Sequence, residues 1–175
     1  MISIKIPPLK NINFIEKFFI NNNLKLLVDL SKKRKFTVNQ MTLNEKYLPD
    51  LNDLYRLYQF VLVNKRTTIL EFGSGWSSLI FSLALKKLKD KFCKEIKFLR
   101  RNNPFELFVL ENEERYLNNT KTRIKKFNKL LKIKNPVKIN YYHSDVEMTL
   151  LNNKICTQYK KLPMCNPDFI YLDGP

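Results

Sequence analysis

Apolar residues fall into two alternating rhythms along this chain: recurrences every three or four residues, and short continuous runs. The pattern is sharpest from Pro49 onward. Asp50 can cap a helix in which Leu51, Leu54, Tyr58 and Val61 recur at helical spacing. Residues 67–72 are β-branched and apolar, as in a buried strand. Trp76 to Leu88 predicts a helix that is apolar on most faces and basic at its C-terminal end, where the helix dipole favours cations. Glu106 to Leu110 predicts a second strand. Glu113 to Lys134 predicts an amphipathic helix with Leu117, Ile124, Phe127 and Leu131 on one face and Lys and Arg on the other. Val137 to Tyr142 reads as a third strand and Asp168 to Leu172 as a fourth, with Glu147 to Lys161 between them as a helical or loop segment. Upstream, Ile12 to Leu30 suggests two short helices broken at Asn21-Asn22-Asn23, followed by a basic connector over Ser31 to Arg34.

Strands separated by helices imply βαβ units and a parallel sheet with right-handed crossovers. The expected fold class is therefore α/β, a Rossmann-like, mostly parallel sheet with flanking helices over 49–175. Residues 1–48 are expected to form an N-terminal helical extension or cap. Only four strands precede Pro175, so the domain is expected to be incomplete at its C-terminus, as a fragment or as a unit completed by another chain.

Glycine narrows the search for a site. The chain has three, about a quarter of ordinary usage, and all lie where a predicted strand ends. Gly73 and Gly75 stand in Glu71-Phe72-Gly73-Ser74-Gly75-Trp76, and Gly174 follows Asp173. Glycine is expected where the backbone needs a positive φ or a close approach. In parallel α/β sheets ligands bind beyond the carboxyl ends of the strands. Those ends are Glu71 to Trp76, Glu111-Asn112, Ser144-Asp145 and Asp173-Gly174, and each carries a carboxylate.

A strand, a glycine turn and a helix start direct free N–H groups at an anion. Glu71 stands where a dinucleotide fingerprint is normally apolar, and Ser78 where its third glycine falls. Glu111 can accept from a ribose diol, or simply be a solvated loop carboxylate. Asp145 can accept from the exocyclic amine of a base, or cap the segment that follows.

The run Thr67-Thr68-Ile69-Leu70-Glu71-Phe72-Gly73-Ser74-Gly75-Trp76-Ser77-Ser78 resembles the first motif of class I S-adenosylmethionine-dependent methyltransferases. The resemblance extends from about Pro49 to Pro175. Phe108-Val109-Leu110-Glu111 is similar to the family's second strand with its ribose-binding acid. Tyr142-His143-Ser144-Asp145 falls where the family places adenine contacts, and Pro167 to Gly174 resembles its fourth-strand motif. The resemblance implies S-adenosylmethionine as cofactor. Glu71, Gly73, Ser74, Gly75 and Trp76 would surround the methionine part, Glu111 the ribose, and Ser144 and Asp145 the adenine edge. Asp173 would orient or deprotonate the acceptor. Two departures stand out: Ser77 occupies the place of a frequent third glycine, and a basic segment over Lys86 to Asn103 lengthens the path from Gly75 to Glu111.

His143, the one histidine, is a second candidate base or a packed neighbour of the adenine. Trp76 can equally anchor the helix on the sheet. No metal is assigned, because Asp173 has no identifiable second carboxylate ligand.

The net charge of +16 brings in nucleic acid as a partner. Lys86 to Arg101 holds eight cations, and Lys121 to Lys138 another eight. Such runs are usually solvated helix faces, yet they suit an anionic acceptor. The expected acceptor is a small molecule or glycan, methylated at oxygen. The alternatives are a nucleic-acid (RNA) methyltransferase, a non-catalytic nucleotide- or RNA-binding module of the same fold and, more remotely, a nicotinamide oxidoreductase. Cys93, Cys156 and Cys165 form no CxxC pair, which suggests a reducing cytoplasm. The N-terminus has no signal-like apolar run, and no apolar stretch approaches membrane-spanning length.

Overall fold

The computed structural model describes residues 3–33, 47–98 and 101–174. Part of the expected N-terminal cap, Arg34 of the basic connector, Arg100 and Pro175 lie outside them. Helices α1 (Ile12–Asn21) and α2 (Lys25–Ser31) meet at a turn where Asn23 takes a φ of 61°. Their Ile15, Phe19, Leu27 and Val28 are buried in the same apolar cluster as α3 (Leu51–Val63). Asp50 caps α3 by accepting from the Asn52 and Asp53 amides.

Strand β1 (Thr68–Phe72) leads into α4 (Trp76–Phe92) and a single 3-10 turn at Glu95–Phe98. Strand β2 (Glu106–Glu111), α5 (Glu114–Leu130) and β3 (Lys138–His143) follow. The chain then forms β4 (Val146–Leu151), β5 (Lys154–Tyr159) and β6 (Phe169–Leu172). The main sheet runs β3-β2-β1-β6 and is parallel throughout. It is the Rossmann-like α/β architecture that the alternation of strands and helices implies. The chain steps from β1 out to β3, then returns to the other side of β1. That reversal places a topological switch point between β1 and β6, where open α/β sheets form a crevice.

The segment over Glu147 to Lys161 departs from the expected helix or loop. It is an antiparallel hairpin, β4 paired with β5. Asn152 and Asn153 form its two-residue turn with φ of 50° and 62°. Two positive φ values at the centre of a tight turn suit the right-handed twist of a hairpin, and asparagine tolerates them. Val146, Met148 and Leu150 pair with Tyr159, Thr157 and Ile155 on one face, while Glu147 and Gln158 pair on the other. The alternation runs through Val146, Met148 and Leu150 to the Asn152-Asn153 turn.

Asp168 fastens β6 to β1 at the end of the strands opposite the crevice. Its carboxylate accepts from the Thr67 and Thr68 amides at 2.9–3.0 Å and from the Thr67 hydroxyl at 3.1 Å. Arg101 lies 3.5 Å away and also donates to the Asn166 carbonyl.

Candidate functional site

Gly73 is the hinge of the crevice. Its N–H donates to the Leu110 carbonyl at 2.7 Å, and the Asp173 N–H donates to the Phe72 carbonyl at 2.8 Å. Gly73 has a φ of +94°, and a Cβ there would stand 3.1 Å from the Asp173 carbonyl carbon. The other two glycines differ from the expectation. Gly75 has a φ of −177°, extended backbone open to any residue, and a Cβ there would meet only the Ser77 hydroxyl at 3.7 Å. A Cβ on Gly174 would meet nothing within 4 Å. Backbone geometry demands glycine at Gly73 alone of the three.

Glu71 ends in a sealed environment with 0% exposure. Ser77 Oγ lies 2.5 Å from its Oε1 and Ser78 Oγ 2.6 Å from its Oε2. The Gly75 N–H in turn donates to Ser78 Oγ at 3.2 Å. Burial pushes the Glu71 carboxyl up to about 8; the two serines oppose this, and the charges of Asp173 and Glu111 add to it. The serines standing at third-glycine positions are therefore partners of a buried acid. Both are buried in the first turn of α4, where i to i+1 neighbours can each reach back to the strand end.

Glu111, also buried, is held by the start of the next element. Its Oε1 accepts from the Asn112 and Glu113 amides at 3.0 and 3.1 Å, and its Oε2 accepts from the Ser74 hydroxyl at 2.6 Å. A carboxylate offers about four acceptor positions, so three are engaged. A diol reaches Glu111 with two bonds only if Ser74 turns away.

Asp173 is exposed at the end of β6, with Oδ2 3.3 Å from Ser77 Oγ. Its pKa is raised, first by partial burial and further by the charge of Asp53, while Ser77 and Tyr171 pull it down. Burial and the nearby carboxylates push the Tyr171 phenol up to about 12.

The remaining candidates lie elsewhere. Trp76 is committed to the α4–α5 interface: its Nε1 donates to the Tyr47 carbonyl at 2.9 Å, and the Arg123 guanidinium stacks 4.2 Å from its ring. Ser144 closes the base of the hairpin, donating to the Asp145 carbonyl at 3.1 Å and accepting from the Lys161 amide at 2.9 Å. Asp145 is exposed, with Lys160 Nζ 3.9 Å away. His143 Nε2 lies 2.9 Å from the Asn112 carbonyl. Strands β3 and β6 are opposite edges of the sheet, three strand spacings or about 14 Å apart. His143 and Asp173 therefore cannot serve one reacting atom. The crevice gathers Glu71, Gly73, Ser74, Glu111 and Asp173, and leaves His143, Ser144 and Asp145 on the β3 side.

One contributor was hidden by the hairpin. Tyr159 packs on Phe72 with ring centroids 5.6 Å apart, and its buried hydroxyl, beside the Gly73 amide, has no hydrogen-bond partner. Burial and the Glu111 charge push its phenol up to about 12. Among the described residues, no group of three or more His, Cys, Asp or Glu side chains is arranged to hold a metal ion. A cavity of about 150 Å³ lined by Phe18, Phe19, Tyr58 and Leu83 lies apart from these strand ends.

No family model, curated protein or solved structure matches the chain.

Proposed function

We propose that the crevice at the ends of β1, β2 and β6 binds S-adenosylmethionine and that the protein transfers its methyl group to a small-molecule or glycan acceptor, at oxygen. The sign of the local charge carries this reading. A chain of net charge +16 places Glu111 and the exposed Asp173 at a single glycine turn, with Glu71 buried behind them. Carboxylates suit a sulfonium and an ammonium group and repel the pyrophosphate of a dinucleotide. The donor set is also compatible with the rest of such a ligand: Glu111 can accept from a ribose once Ser74 turns, and the first amides of α4 can donate to a carboxylate.

When bound, the cofactor supplies an electrophilic methyl carbon. The chain's own contribution is placement, which can account for much of such a rate enhancement. Asp173, the exposed acid of the crevice, would orient the acceptor hydroxyl and take its proton. The free thiols of Cys93, Cys156 and Cys165 support a reducing, cytoplasmic setting. No helix among the described residues is long and apolar enough to cross a membrane.

Calorimetric titration with S-adenosylmethionine, S-adenosylhomocysteine and NAD tests the reading. Binding of either sulfur ligand without NAD is the expected result. Absence of both at millimolar concentration overturns it.

A second reading takes RNA as the acceptor or, without catalysis, as the ligand. Lys125, Lys126, Lys129, Lys132 and Lys134 are exposed on and just after α5. RNA binding whose affinity falls steeply with salt would favour it.

A further inference from the structure

The Ser77 hydroxyl stands between two carboxyl groups, 2.5 Å from Glu71 Oε1 and 3.3 Å from Asp173 Oδ2. It has a single proton to donate and two lone pairs with which to accept. If both acids were ionised, one would face the serine oxygen without a hydrogen between them. The other groups around Glu71 narrow the choice. Ser78 sits at Oε2 and already accepts from the Gly75 amide, so its own proton is directed to Glu71. Glu71 has no exposure to water, whereas Asp173 is solvated. Of two acids competing for one proton, the dry one keeps it, because only the wet one has water to stabilise its charge.

We infer that Glu71, Ser77 and Asp173 form one proton-sharing unit across the switch point, in which neutral Glu71 donates to Ser77 and Ser77 donates to ionised Asp173. The hydrogen bonds then run in one direction: Gly75 N–H to Ser78, Ser78 to Glu71, Glu71 to Ser77, and Ser77 to Asp173. Every hydroxyl donates once and accepts once. The strongly raised Glu71 pKa agrees with this distribution. The surrounding titratable groups are Asp53 from α3, Glu111 from β2, Tyr141 from β3 and Tyr171 from β6. Glu111 and the ionised Asp173 bring negative charge that disfavours a charge on Glu71, while Asp53 acts on Asp173.

Ser77 is in this account a positioning residue that keeps Asp173 charged and leaves Glu71 as a buried proton store. The crevice therefore presents the carboxylate of Asp173, with Glu71 silent behind it. This distribution is a property of the folded chain and holds whether or not the methyl-transfer reading survives.

Carboxyl-carbon NMR titration of the full chain tests it, with Glu71→Gln and Asp173→Asn assigning the two resonances. Glu71 is expected to be protonated and Asp173 ionised at pH 7. Ser77→Ala separates the two directions of the Glu71–Ser77 bond. If Glu71 donates, Ser77 gives its own proton to Asp173, so losing Ser77 raises the Asp173 midpoint. Ser77→Thr, which retains the hydroxyl, is expected to restore it. An unchanged Asp173 midpoint in Ser77→Ala overturns the inference, since it would show the serine giving its proton to Glu71 instead. An ionised Glu71 at pH 7 in the unaltered chain overturns it equally. Thermal melts of each variant distinguish these results from loss of the fold.

Discussion

Gly73 and Asp173 are in backbone contact across the point where the sheet reverses, with 3.1 Å between a hypothetical Gly73 Cβ and the Asp173 carbonyl carbon. The residue that opens the turn after β1 thereby sets the height of the acid that ends β6. A side chain at Gly73 would press on the Asp173 main chain, so the two ends of the crevice are coupled through main chain.

Gly73→Ala is expected to destabilise the fold by about 1–3 kcal/mol, from a positive φ and a tight backbone contact together. Gly75→Ala should stay within about 0.5 kcal/mol of the parent, because its backbone is extended and its surroundings are open. Urea unfolding of both variants checks the contrast; equal effects would contradict it.

The raised pKa of Glu71 gives stability a pH dependence of definite sign. Below about 4.5 the acid is protonated in both folded and unfolded chains. Between about 4.5 and about 8 only the folded state holds the proton, so this contribution to stability declines as pH rises and is lost above about 8. The slope approaches about 1.4 kcal/mol per pH unit at most. Glu71→Gln cannot titrate, and its stability is expected to stay flat through that window and to exceed the parent's at pH 9. Denaturation midpoints measured from pH 5 to 9 decide the matter.

Ser74 and Glu111 make the latch that a ribose would have to open, with 2.6 Å between hydroxyl and carboxylate. On the methyl-transfer reading, Ser74→Ala is expected to bind S-adenosylhomocysteine at least as tightly as the parent, since one acceptor position on Glu111 is released. Glu111→Ala should weaken binding by about tenfold or more, equivalent to the loss of one or two hydrogen bonds. Calorimetry on both variants reads the difference, and weaker binding by Ser74→Ala would mean that the hydroxyl itself contacts the ligand.

Asp168→Ala removes the acceptor for two backbone amides and a hydroxyl at the far edge of β1 and β6. The expected cost is about 2–4 kcal/mol, dominated by the amides left without partners. The variant that remains folded should bind ligand as the parent does, because Asp168 lies at the opposite end of the strands from Asp173. A stability loss well under 1 kcal/mol would mean that water replaces the carboxylate.

Local pattern carried far on the four parallel strands, because each is a short apolar or β-branched run between helices whose period is clear. It carried less far between β3 and β6. There the polar and apolar residues of the hairpin alternate over only six residues per strand, and the Asn152-Asn153 turn lacks the glycine that usually marks such a connection. The place of Tyr159 against Phe72 depends on how the hairpin folds back, which no local pattern encodes.

The order of the four parallel strands and the helices between the first three, the acid at the end of each of those strands and the glycine turn after β1 are written in the sequence, because periodicity and turn chemistry act over a few residues. Which of those acids meet was decided only in three dimensions. Strand order β3-β2-β1-β6 brings Glu71, Glu111 and Asp173 to one crevice and leaves His143 and Asp145 at the far edge. Local rules carry no information on which strand lies beside which, and the pairing of β1 with β6 joins residues a hundred positions apart. The role of Ser77 follows from the same pairing: a position that reads as a missing glycine becomes the hydroxyl between a buried acid and an exposed one.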